Sequence, residues 1–214
     1  RDPDRPGRHP FAAGSAAAFY QYDKQLTNIV KLSGDSTQTF VASNDKIRES
    51  AMDLARGMSE SMGVTIKQSL DLQGQLIALG KQGTELSRAT ESAGRLMVLG
   101  DLDPDTAIKF TNTMSTVFKA SADEVDKYID LINEMENSTV LTMQDVSDAM
   151  PKIGPIVKSM NGDIKDVLVM LESLKRGGID AVEGANAVKS ITGSVFRSTK
   201  RLRDAYSGMV PGDS

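Results

Sequence analysis

Three aspartates at alternate positions have the spacing of a metal site. Asp101, Asp103 and Asp105 match the D-x-D-x-D opening of a calcium-binding EF-hand loop. That loop also requires glycine at its sixth position and glutamate at its twelfth, where this sequence has Thr106 and Asn112. An aspartate followed by proline is typical of a helix start. The motif therefore predicts a helix N-terminus and no metal site.

A glycine-bounded stretch, GQLIALGK from Gly74 to Lys81, superficially resembles a phosphate-binding loop. Its spacing is one residue too long, and Gln82 stands where the loop has Ser or Thr. The segment also has a helical pattern, whereas a phosphate-binding loop joins a strand to a helix. We expect no nucleotide site here and no cofactor elsewhere in the chain.

Glutamate followed by serine, as at the active site of lytic transglycosylases, is a dipeptide that could carry acid catalysis. It occurs at Glu49-Ser50, Glu60-Ser61, Glu91-Ser92 and Glu172-Ser173. A general acid needs an apolar pocket to raise its pKa. Four copies of the dipeptide in amphipathic helical segments indicate that it reflects the amino-acid composition of the chain and not a catalytic site. The sequence therefore predicts no catalytic residue, although a buried glutamate in a cleft would favour a peptidoglycan-cleaving domain.

A short basic run, Arg197, Lys200, Arg201 and Arg203, lies near the end of the sequence. It could contact nucleic acid, because phosphate contacts need only positive charge, but no aromatic residues alternate with it for base stacking. A solvated helix end, where cations interact favourably with the helix dipole, is the preferred interpretation. The single histidine, His9, lies in a proline-rich polar segment and is interpreted as a bystander.

The overall composition limits the remaining classes of protein. The 214 residues carry a net charge of −4 and no cysteine, which excludes disulfides and thiol chemistry. Hydrophobic residues make up 39% of the chain and aromatic residues 5%, so we expect an aliphatic core. No apolar run approaches the ~20 residues of a membrane span. Because the chain starts with arginine, we expect it to be a piece of a longer protein.

Apolar side chains recur at helical spacing along most of the sequence. Ile47, Ala51, Leu54 and Met58, for example, fall at i, i+4, i+7 and i+11. No segment alternates in the manner of a strand, and the connections are short and marked by glycine or proline. The sequence therefore predicts an all-α fold, a multi-helix bundle of short antiparallel helices joined by Gly/Pro-marked turns.

Polar residues mark the expected helix starts. Thr65 and Gln68 have the spacing of a capping box, in which each side chain bonds the other's backbone N–H. Ser43 or Asn44 is expected to cap the preceding helix, and Thr84 the following one.

The most distinctive stretch runs from 137 to 196 and contains three expected helices. Thr142 and Asp145 form a capping box for the first helix. Pro151 and Pro155 each lack an N–H and clash with the preceding turn, so we expect this helix to kink or break between them.

Two glycine stops separate these helices, and the third helix is rich in small residues. The stops are Asn161-Gly162 and Gly177-Gly178, and Asp180 with Glu183 opens the last helix. Small side chains let helices approach closely, so we expect a tight contact at Gly184, Ala185 and Ala187. The buried side of this helix is expected to be marked by Val188, Ile191 and Val195.

This order of parts resembles the conserved region of phage tail tape measure proteins of the minor-tail type. The most specific features are Pro-Lys-Ile-Gly-Pro, which includes Gly154, the two glycine stops, and the small-residue helix start at 183–187. The similarity covers about 40–196 and is strongest over 142–187. The pair Lys175-Arg176 is a departure, since the family more usually has small residues there.

The resemblance implies a virion component inside the tail tube that sets tail length and later leaves during genome delivery. Its expected partners are tail-tube and tail-tip proteins, tail assembly chaperones and other copies of itself. Contact with membrane or DNA is expected only through the full-length protein, and no small-molecule substrate is expected. The expected location is the tail lumen, with the host cytoplasm during assembly.

The sequence predicts four segments: a linker or tail at 1–10, a helix and turn at 11–36, a tape-measure-like domain at 40–200 and a flexible end at 201–214. Two other functions stay open at this point. One is a muralytic domain of a tail protein, and the other is a helical adaptor or effector unrelated to phage.

Overall fold

The computed structural model describes residues 11–33 and 40–207, and this part of the chain forms α-helices without any strand. The helices are α1 Phe11–Leu32, α2 Phe40–Met62, α3 Ile66–Ala78, α4 Gly83–Leu99, α5 Pro104–Thr116, α6 Ala122–Ser138, α7 Met143–Ser159, α8 Ile164–Arg176 and α9 Ala181–Ser207. The predicted all-α, multi-helix fold is confirmed.

The chain divides into two compact units at the end of α4, unit 1 being residues 1–98 and unit 2 residues 99–214. The domain expected at 40–200 spans both units, and its extent stays a prediction. The expected linker at 1–10 lies outside the described residues. Helix α9 is helical as far as Ser207, and the flexibility expected for the C-terminal end stays a prediction.

Unit 1 has a small aliphatic core to which α1, α2 and α3 all contribute. Its buried members are Leu26, Ile29, Ala51, Ala55, Leu70 and Ile77. Arg48 on α2 also binds α1, with Nη1 2.7 Å from the Asp23 carboxylate and Nη2 donating to the Thr27 hydroxyl.

Two of the predicted helix starts in unit 1 are wrong. Helix α2 begins at Phe40, so Ser43 lies at the end of its first turn and Asn44 follows it, and α4 begins at Gly83, before Thr84. Polar residues are tolerated in a first turn because its N–H groups have no helical partner. A cap and a first-turn residue therefore look alike in sequence.

Helix α3 has the predicted start and a well-defined end. Thr65 and Gln68 form the capping box, with the Gln68 N–H donating to the Thr65 hydroxyl. At the other end, Gly80 has a positive φ of 87°, and the Lys81 N–H donates to the Leu76 carbonyl in a Schellman motif. The stretch that resembles a phosphate-binding loop is therefore a helix and its C-terminal cap.

Unit 2 begins with the aspartate motif. Pro104 is the first residue of α5, and both carboxylate oxygens of Asp103 accept hydrogen bonds from Thr106. Those bonds hold the pKa of Asp103 below its ordinary value. The predicted helix start is confirmed.

Candidate functional site: the packing region of α7, α8 and α9

Helix α7 supplies the central apolar face of this region. Its capping box is present: the Thr142 N–H and hydroxyl both donate to the Asp145 carboxylate, and the Asp145 N–H donates back to the hydroxyl. Along the helix, Val146, Ile153 and Val157 are buried, as the spacing predicts.

Helix α7 continues through both prolines, so it does not break there, and the kink that was expected as the alternative stays a prediction. Pro151 and Pro155 lie inside the helix, whose assignment is unbroken from 143 to 159. The fixed φ of proline is compatible with a helix. Proline destabilises a helix because it lacks the N–H for one backbone hydrogen bond and because its ring clashes with the preceding turn. Burial of Met150 and Ile153 on either side of the proline turn holds the backbone in place.

A lysine supplies a donor at this turn. The Lys152 ammonium donates to the carbonyl of Asp148 at 2.9 Å. The carbonyl that loses its backbone donor to Pro151 is that of Ser147, four residues before it, so the bond from Lys152 lies beside that carbonyl and does not replace its donor.

Gly154 lies on the buried side of α7 against an aromatic ring. A Cβ at this position would come 2.9 Å from Cε2 of Phe118. The absence of a side chain thus allows the ring to pack directly on the α7 backbone.

The first glycine stop ends α7 in a Schellman motif, but its left-handed residue is the asparagine. Asn161 has a φ of 64°, its N–H donates to the Lys158 carbonyl, and the Gly162 N–H donates to the Val157 carbonyl. A Cβ on Gly162 would lie 2.6 Å from Cγ1 of Val157 and 3.1 Å from its carbonyl oxygen, so a side chain there would force Val157 to move.

The second stop ends α8 in the same way. Gly178 has a φ of 77°, while Gly177 is the capping residue before it with a negative φ. The Ile179 N–H donates to the Leu174 carbonyl, which completes the motif.

Helix α9 packs closely on α8 near this turn. A Cβ on Gly184 would lie 2.6 Å from Cδ1 of Leu174, and the neighbouring Ala185 is completely buried. The Val182 and Glu183 N–H groups donate to the Asp180 carboxylate, which therefore caps the helix. Gly184 and Ala185 are the small residues of α9 beside its close contact with α8.

The expected buried side of α9 is partly wrong. Ala187 is exposed, and so are Ile191 at 64% and Val195 at 58%. Helical spacing identifies a common face but does not identify what covers it. Here the burial of α9 is concentrated near Ala181 and Ala185, and ends before Ile191.

An ion pair that sequence reasoning missed connects the ends of α7 and α8. The Lys175 ammonium lies 2.7 Å from Oδ2 of Asp145 and donates to Oδ1 at 2.8 Å. Burial alone would raise the pKa of Asp145. Hydrogen bonds from Lys175 and Thr142 outweigh it, so the pKa lies below its ordinary value. Lys175 thus binds the carboxylate of the α7 capping box from the end of α8.

We expect Lys175→Met to lower the free energy of unfolding of unit 2 by about 1–3 kcal/mol at neutral pH. A carboxyl with a depressed pKa stabilises the folded state above its unfolded pKa of about 3.9, and this contribution is lost as pH falls through the folded pKa. The difference between wild type and variant should therefore shrink in acid. Urea unfolding followed by circular dichroism across this pH range measures it.

Arg176→Met is the matched control, since Arg176 pairs with Glu172 across one turn of α8 and is itself exposed. Its removal should cost no more than about 1 kcal/mol. A Lys175→Met effect that stays constant into strong acid would contradict the assignment of this ion pair.

The candidate catalytic and metal-binding groups do not form a site within the described residues. None of the four glutamates that precede serine is buried. No cluster of three or more His, Cys, Asp or Glu that could hold a metal ion occurs in the described ranges. In the same part of the chain, no helix is both long and apolar enough to cross a membrane.

Comparison with known proteins identifies the family. Residues 52–210 match the family of phage-related minor tail proteins, a span that includes every helix of the α7–α9 region. The chain belongs to this family. It is therefore a phage tail protein, a class of virion component with a structural role. No solved structure matches this minor tail protein.

Proposed function

We propose that this chain is a folded helical portion of a tape measure protein, on which tail-tube subunits polymerise and which fixes tail length. The observation that carries the proposal is the minor-tail family match, which covers the whole α7–α9 region. Within that region Gly154 and Gly184 each leave room for a neighbouring side chain, and Gly162 leaves room for the α7 backbone. This supports the inference that these three glycines act as packing and turn residues.

The proposed role is structural, and we infer that the chain has no catalytic activity. Its partners would be tail-tube and tail-tip proteins, assembly chaperones and other copies of the chain. It would occupy the tail lumen and leave during genome delivery. The exposed or half-buried environment of the four glutamates supports a non-enzymatic role, because a general acid needs an apolar pocket.

Tail length in phage that carry altered copies of the gene tests the proposal. If the chain acts as an extended helical ruler in the tail, deleting 100 residues should shorten the tail by about 150 Å, at 1.5 Å per residue. An in-frame duplication of the same segment should lengthen it by a similar amount, and this second variant guards against a deletion that simply fails to assemble.

Electron microscopy of purified virions gives the length distribution. If tail length is unchanged in both variants, the chain does not determine tail length. Its role in the tail would then be structural without setting the length.

A further inference from the structure

Helices α1 and α3 form an open groove of about 670 Å³ in unit 1. The charged residues that line it are Lys24 and Lys31 of α1, Lys67 of α3, and Asp23. All three lysines are exposed, and none forms an ion pair with a described carboxylate. The Asp23 carboxylate is bonded to Arg48 of α2. The groove therefore carries three positive charges that no described ion pair neutralises.

A glutamine bridges the two walls of this groove. Nε2 of Gln25 on α1 donates to the Lys67 carbonyl and to the Asp71 carboxylate on α3. The two helices are therefore held together where the lysines lie. Lys24 and Lys31 are seven residues apart, which is about 10 Å along the axis of α1. Charges spread over two walls at this spacing suit a ligand with several anionic groups in a row better than a single small anion.

The other residues that line the groove favour a nucleic acid over a membrane. Gln21 and Asn28 carry amide groups that can donate to phosphate oxygens. Tyr20, one turn before Lys24 on α1, is 74% exposed. A positively charged groove with an exposed aromatic ring is the arrangement that binds single-stranded nucleic acid. No aliphatic side chain lines this groove, whereas a helix that lies on a membrane buries an apolar face.

We propose that this groove binds the phosphodiester backbone of a single-stranded nucleic acid. Lys24, Lys31 and Lys67 pair with phosphates, and Tyr20 stacks against a base. The net charge of −4 does not indicate such a site, because the acidic excess lies in unit 2. Helix α1 precedes the segment that matches the minor tail family, so that match does not cover one of the two walls. The inference goes beyond the proposed function and does not depend on whether the protein sets tail length.

Fluorescence anisotropy of a short labelled oligothymidylate, titrated with the complete chain, tests the proposal. Three phosphate contacts to a single strand give a slope of about −2 for log K against log salt concentration. Binding should therefore weaken about 20-fold between roughly 50 and 200 mM salt. The combined variant Lys24→Gln, Lys31→Gln and Lys67→Gln should lose most of the affinity at low salt together with the salt dependence.

A matched variant separates the groove from overall charge. Lys109→Gln, Lys158→Gln and Lys165→Gln change the net charge by the same amount at exposed positions of unit 2, and should leave binding nearly unchanged. Circular dichroism should show the wild-type fold for both combined variants, because all six lysines are exposed.

Tyr20→Leu tests the contribution of the aromatic ring. Loss of one base stack should weaken binding roughly fivefold to a hundredfold. The slope against salt concentration should not change, because stacking releases no counterions. A duplex of comparable length should bind more weakly than the single strand, since its bases are not free to stack on the ring.

Several outcomes would overturn the proposal. These are no binding of the oligonucleotide at low salt, equal loss in the two combined lysine variants, equal affinity for the duplex, and equal competition by polyglutamate. Lysine-dependent binding to phosphatidylglycerol vesicles without oligonucleotide binding would assign the groove to a membrane surface instead. Because these assays use the purified chain, their failure is distinct from an unchanged tail length in virions.

Discussion

Ala185→Leu is expected to lower the free energy of unfolding of unit 2 by about 1–3 kcal/mol. Ala185 is completely buried in α9, next to the position where Gly184 brings the helix against Leu174. Because Ala185 has no exposed surface, a larger side chain cannot be accommodated there unless the elements packed against α9 move. The shift of the urea midpoint at unchanged slope measures the loss.

The chain offers a close control for this experiment. Ala187→Leu makes the same chemical change two residues away on the same helix, but at an exposed position. Alanine and leucine have similar helix propensities, so the difference between the two variants reports packing. Equal midpoints for both variants would contradict close packing at Ala185.

The largest expected effect comes from a cavity in the core of unit 2. Leu171→Ala should cost about 2–5 kcal/mol, because Leu171 is completely buried on α8 and its removal leaves a void. Val169→Ala on the same helix is the control, since Val169 is exposed and its truncation should change little.

Hydrogen exchange in the Leu171→Ala variant also tests how the protein opens. The proposed tape measure role requires passage through a narrow tube, and on that proposal we expect local opening before the whole chain unfolds, with 142–187 the most protected segment of the wild type. Amide protection should then fall in α7 and α8 while α1 to α3 keep theirs. If all helices showed the same free energy of opening, the chain would be a rigid module and the expected stepwise opening would be wrong.

Features set by adjacent residues could be predicted from the sequence. The capping boxes predicted at Thr65 and Thr142 are both present. Each depends on two side chains three residues apart, so local sequence contains all the necessary information. The apolar faces of most helices could be predicted for the same reason, because the helical spacing of the apolar residues places their side chains on one side.

Features that depend on distant residues could not be predicted in this way. The pair between Lys175 and Asp145 joins positions 30 residues apart, and no local pattern indicates it. A break of α7 at Pro151 was one of the two expected outcomes, and it does not occur because burial on either side offsets the local preference of proline to end a helix. The exposure of Ile191 was missed because periodicity does not identify the covering element.

The stop at the end of α7 also bears on how long the protein lasts. An asparagine followed by glycine is chemically fragile: the glycine nitrogen can attack the asparagine side chain, close a succinimide ring and leave aspartate or isoaspartate. In the folded chain the Gly162 nitrogen is engaged with the Val157 carbonyl at 2.9 Å, and Asn161 is fixed in the left-handed region. The geometry that ends the helix therefore also slows deamidation at Asn161. For a particle that waits outside the cell before it delivers its genome, the folded end of α7 preserves the covalent chain as well as its shape.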